Sequence, residues 1–150
     1  MKSRSGILTL PLIVAAVVVV LRVIVERAGA PESITNWLSI AAMHTVIVPI
    51  YIALRLSKSD AASPYLSLIK MIALFAVLAR IMILPTYWAG RIFEWTQSRF
   101  NGLWGPDVDA FRGFVGVPLV TAGIWIVASV VIGGVLGSII LAVTRRPSAV

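Results

Sequence analysis

The sequence predicts an all-α integral membrane protein: a four-helix bundle with both termini cytoplasmic and an aromatic-rich interfacial segment between the third and fourth helices. Three observations predict it. Of 150 residues, 59% are hydrophobic and only 13% charged, where a soluble domain carries about a quarter charged. The mean hydropathy is +0.99, too apolar for the large surface that so short a chain exposes on folding in water. Four apolar stretches also reach the roughly 20 residues that a 30 Å hydrocarbon slab asks of a helix. Spanning backbone must satisfy its own hydrogen bonds, and no ten-residue alternating strands of a barrel are present, so the spans are helices.

The first span covers about 7–25 and holds an unbroken Val/Ala run from Val14 to Leu21. Residues 1–30 have a competing reading as a cleavable signal peptide. Lys2 and Arg4 precede the apolar run, and Ala28-Gly29-Ala30 has the small-x-small form of a cleavage site. A retained helix is favoured because Pro31 would follow the cut directly and because Arg22, Glu26 and Arg27 intrude before it. Gly29-Ala30-Pro31-Glu32-Ser33 then turns the chain, with Ser33 or Thr35 as candidate caps for the second span at 37–56. Pro49 lies inside that span and frees a carbonyl near Thr45, so a kink is expected there.

A short polar turn around Ser57 to Pro64 leads to the third span, 66–88. The next connection is long and carries Trp95, Phe100, Trp104, Phe111 and Phe114. Such aromatics favour the headgroup level, so Arg91 to Phe100 reads as an extension of the third helix or as an interfacial helix. Asn101-Gly102 and Gly105-Pro106-Asp107 turn the chain back. The fourth span, 114–143, exceeds the slab and must tilt or begin outside it, with Pro118 as the expected start of its membrane portion. The whole chain reads as one transmembrane domain.

The net charge is +7, but the bases are scattered at helix ends, which is how orientation signals look and not how a nucleic-acid surface looks. With the N-terminus inside, one side holds Lys2, Arg4, Arg55, Lys58, Lys70, Arg145 and Arg146 against Asp60. The other holds Arg27, Arg91, Arg99 and Arg112 against five acids. That bias predicts a multi-pass protein of a bacterial-type plasma (inner) membrane with cytoplasmic termini.

Three ionisable residues lie within the apolar spans: Arg22, His44 and Arg80. An intramembrane charge is costly and points to a partner or a function. Under the predicted topology all three fall in the outer half of the bilayer, at levels a few angstroms apart given a rise of about 1.5 Å per residue. Helical spacing adds Glu26 beside Arg22, a stripe of Trp37, Ala41, Val48, Tyr51 and Arg55 along the face of His44, and Tyr87, Arg91 and Glu94 beyond Arg80. The candidate ligand-binding set is therefore Arg22, Glu26, His44, Arg80, Tyr87, Arg91 and Glu94, with the aromatic connection as a lid. Its excess of base over acid suits a lipid headgroup, a quinone carbonyl or another polar or anionic ligand. The alternative for these residues is purely structural: Arg22 and Arg80 snorkelling, and a neutral His44 bonded to backbone freed by Pro49.

The absence of cysteine rules out thiolate metal sites, and a single histidine cannot build the usual zinc set. Haem ligation by His44 with Met43, Met71 or Met82 has little support, and no cofactor is assigned. No GxSxG, HExxH or phosphate-loop motif occurs. A non-enzymatic accessory or structural subunit is the leading expectation. A homo-oligomeric transporter or channel is the alternative, a lipid-processing enzyme a more distant one, and whether the chain is an enzyme is left open. Lipids are expected partners. Gly133 and Gly137 give the fourth helix a small-residue face for close packing, against another subunit, another copy, or a helix of the same chain.

Overall fold

A computed structural model describes residues 5–59 and 61–145. Lys2, Arg4, Asp60 and Arg146 of the charge count lie outside them. The described chain is helical, and four of its helices are long and apolar enough to cross a membrane. Helix α1 is Ser5–Arg27, α2 is the single turn Glu32–Thr35, α3 runs over 40–57, α4 is Pro64–Ile92 and α5 is Arg112–Thr144.

Helix α1 buries one narrow stripe. Leu8, Pro11, Ala15 and Glu26 are buried, with Val19 and Arg22 half-buried between them, while Ile13, Val17, Val20 and Ile24 are exposed. Spacings of three and four keep the buried set on one face. The helix ends in a Schellman turn: Ala30 N–H donates to Val25 O and Gly29 N–H to Glu26 O, each at 3.2 Å, with Gly29 at φ +84°. Only glycine takes that left-handed conformation at no cost.

The second span begins later than the sequence indicates. Trp37 lies in a turn over 36–38 and is 91% exposed, so it does not share the helical face of His44. Neither Ser33 nor Thr35 caps the span. Ser39, with extended backbone (φ −88°, ψ 127°), accepts from Ala41 N–H at 3.1 Å and starts α3. A cap needs a non-helical backbone at the helix mouth, whereas Ser33 and Thr35 already lie within α2.

Two prolines shape α3 and α5 in the same way. A π turn over Met43–Ile47 precedes Pro49, and another over Arg112–Gly116 precedes Pro118 at the same spacing. A proline cannot donate to the carbonyl four residues back, and its ring crowds that carbonyl; widening the preceding turn relieves both. At Pro118 the freed carbonyl, Phe114 O, accepts from Trp88 Nε1 at 3.0 Å. Pro118 is thus buried inside a continuous α5 that starts at Arg112, six residues earlier.

Helix α4 is central and packs against α1, α3 and α5, while α1 packs chiefly on α4. At 29 residues it is about 43 Å long, more than a 30 Å slab holds. It stops at Ile92, so Arg91 to Phe100 is not one helix: a turn follows, then a short 3-10 helix at Ser98–Phe100. Phe100 is fully buried against Gly90, where a Cβ would lie 2.7 Å from the ring. Arg91 ties down the rest of the connection, donating to Leu103 O at 2.7 Å and Val108 O at 3.1 Å.

The small-residue face of α5 is occupied within the chain. A Cβ on Gly133 would meet the Pro49 ring at 2.6 Å, and one on Gly137 would meet Leu68 at 3.1 Å. Gly133 and Gly137 therefore join α5 to α3 and α4 and offer no face to a second copy or another subunit.

Candidate functional site

One end of the bundle gathers charge. From α1, Arg22 Nε donates to Glu26 Oε1 at 2.8 Å, the expected i,i+4 pair. Arg99, on the 3-10 helix between α4 and α5, donates from Nη2 to Glu26 Oε2 at 2.6 Å. The Glu26 side chain is 2% exposed and both arginines about one-sixth exposed, so the carboxylate is enclosed by two guanidiniums. Arg99 also lies over the Phe100 ring, 4.1 Å from its centroid. Burial pushes its guanidinium below its ordinary pKa, and the Glu26 charge opposes that shift.

Beside this triad lies a cavity of about 220 Å³. Its polar wall is Arg22, Arg80, Arg99, Tyr87, Asn36 and Ser39. Its apolar wall includes Val19, Ile83 and Trp125. Arg80 is 7% exposed, its Nε has no hydrogen-bond partner, and its guanidinium stands 5.3 Å from the centre of the Trp125 ring. No acid among the described residues pairs with it. Cation–π contact recovers part of the lost hydration, but a buried guanidinium with free donors still presents them to whatever fills the cavity.

The seven residues expected from sequence separate into groups. Arg22, Arg80 and Tyr87 line the cavity together, and Glu26 stands behind Arg22 and Arg99. His44 is fully buried deeper in α3, edge-on to Phe75 with ring centroids 5.4 Å apart. Neither ring nitrogen of His44 has a hydrogen-bond partner, and it does not line the cavity. The carbonyl freed by Pro49 therefore does not receive it. Arg91 is committed to loop carbonyls. Glu94 is exposed with φ +49°, in the left-handed turn that follows α4, and it does not line the cavity.

Arg99, Asn36, Ser39 and Trp125 belong to the cavity without having been singled out in the sequence. Arg99 and Glu26 are 73 positions apart, and no periodicity connects such residues. A second tie of this kind joins Glu32 to the Ser98 backbone N–H at 2.8 Å and to its hydroxyl at 2.9 Å. Among the described residues no three His, Asp or Glu side chains gather as metal ligands. Comparison with protein-family models, with curated proteins and with solved structures found no significant match.

Proposed function

We propose that this chain is a non-enzymatic, multi-pass membrane protein, an accessory or structural unit whose cavity holds the polar or anionic headgroup of a membrane ligand. The observation that carries the reading is Arg80: a buried guanidinium between apolar helices, without an acid, in the wall of a cavity shared with Arg22 and Arg99. A structural arginine at this depth would be expected to find a carboxylate or carbonyls. At about 220 Å³ the cavity falls below the roughly 300–1,000 Å³ of sites that enclose whole drug-sized ligands. It suits a headgroup whose chain leaves along the bilayer, and it suits a transport path less well. The basic bias of the 55–70 side supports a plasma-membrane orientation with cytoplasmic termini, which puts the cavity in the outer half. Exposed Trp37, Trp88, Phe93 and Phe111 at the same end suit the headgroup level.

Purification in mild detergent followed by mass spectrometry of retained molecules tests this. Wild-type protein and Arg55→Leu are expected to retain a stoichiometric polar lipid or quinone, and Arg80→Leu to lose it. Equal retention by all three proteins, or none by any, overturns the reading.

A further inference from the structure

The geometry points to a narrower ligand chemistry: we infer that the cavity is a phosphate site, built for the phosphoryl oxygens of an amphiphile's headgroup. This rests on the pocket reading above and adds the identity of the group recognised.

Charge is the first argument. Three guanidiniums face the cavity and one carboxylate offsets them, leaving two positive charges for an occupant. A phosphomonoester carries about −1.5 to −2 near neutral pH, whereas a carboxylate carries one negative charge and a quinone none.

Donor geometry is the second. Arg22 engages Glu26 through Nε alone, so both its terminal nitrogens stay available. Arg99 uses Nη2 for Glu26, and its Nη1 reaches Thr86 only at 3.4 Å. Arg80 uses none of its donors on a protein acceptor, although it is 7% exposed and lines the cavity. The available donors come from α1, from α4 and from the connection after it, so they converge from different sides. A tetrahedral phosphate with three peripheral oxygens matches three forks, while a flat carboxylate matches one or two.

The helix terminus is the third. Ser39, Ile40 and Ala41, the start of the 18-residue α3, line the same cavity. First-turn N–H groups lack intrahelical acceptors and the helix dipole favours an anion there. Ser39 satisfies only the Ala41 N–H. Alone this would mean little; together with the unpartnered Arg80 it places a second kind of anion donor on the same space. Val19, Ile83 and Trp125 add an apolar surface beside the arginines for the first carbons of a chain.

The experiment uses the full chain in maltoside detergent. Dissociation constants are measured for dioleoyl phosphatidic acid, dioleoylglycerol, oleate and inorganic phosphate, with wild type, Arg80→Leu and Asn36→Asp. Asn36 is an exposed wall residue, so its substitution adds a repelling carboxylate without disturbing the buried core. Phosphatidic acid is expected to bind at least about tenfold tighter than oleate or dioleoylglycerol, and each variant to lose roughly tenfold. Inorganic phosphate binding as tightly as phosphatidic acid would assign the site to free phosphate, and binding of the lipid alone would assign it to a headgroup; both support phosphate chemistry. Oleate binding as tightly as phosphatidic acid, with Arg80 dependence in both, overturns the phosphate assignment and leaves the pocket reading standing. Binding of no probe in an Arg80-dependent way overturns both.

Discussion

Glu26 decides the electrostatics of the charged end, because its two oxygens bind arginines from two separate segments with a single negative charge. Breaking a buried pair leaves uncompensated charge behind, which costs about 3–5 kcal/mol. Glu26→Gln is therefore expected to destabilise the protein on the order of 3 kcal/mol, read from reversible unfolding in mixed micelles. Arg55→Leu, at an exposed site where Arg55 only covers Tyr51, is expected to stay within about 0.5 kcal/mol. Equal effects would show that Glu26 is not enclosed as described. Glu94 offers the opposite sign. A non-glycine residue in the left-handed region is disfavoured by roughly 1–2 kcal/mol, so Glu94→Gly is expected to raise the unfolding midpoint; a fall would mean that the Glu94 side chain has a partner. The Arg22–Glu26 pair was legible in the sequence because four residues make one helical turn. Arg99 was not, since its position depends on how Phe100 seats against Gly90. Glu94 was misplaced for a related reason: extending the helical face of Arg80 assumes a helix that has already ended.

Elements follow the apolar runs closely, and among the described residues two of the three π turns precede a proline, while the third, Ser129–Gly133, does not. The π turns before Pro49 and Pro118 show one sequence cause giving one backbone response in two helices. The disturbance at Pro49 was legible; its consequence for α5 was not, because Gly133 fills the space against the Pro49 ring from 84 positions away. Gly133→Ala drives a methyl into that ring, and such overpacking costs about 1–3 kcal/mol. Gly123, with open space around it, is the matched control: Gly123→Ala is expected to be neutral or stabilising by up to about 1 kcal/mol. Alanine is the better helix former, so propensity acts in the opposite direction at both sites; comparable loss in both variants would show that the α3–α5 contact is not its cause. The start of α3 was misread because two serines and a threonine precede it, and only Ser39 has the backbone of a cap.

For the whole molecule, four apolar helices and their order were evident from composition and length, while the central place of α4 required the packing itself. Orientation rests on the distribution of bases and can be measured directly, since the chain has no cysteine. Asp107→Cys, in the connection between α4 and α5, is expected to react with a membrane-impermeant maleimide on intact cells, and Lys58→Cys only after lysis. The reverse pattern would invert the topology and move the cavity to the inner half of the bilayer. The Glu26–Arg99 bridge also has a bearing on biogenesis. Arg99 emerges from the ribosome 73 residues after Glu26, a delay of about 4–15 s at 5–20 residues per second. Throughout that interval Glu26 has Arg22 as its one partner, and the connection that supplies the second has not yet been made. The charge cluster that joins α1 to the connection after α4 can thus be completed only once three of the four long helices have been made.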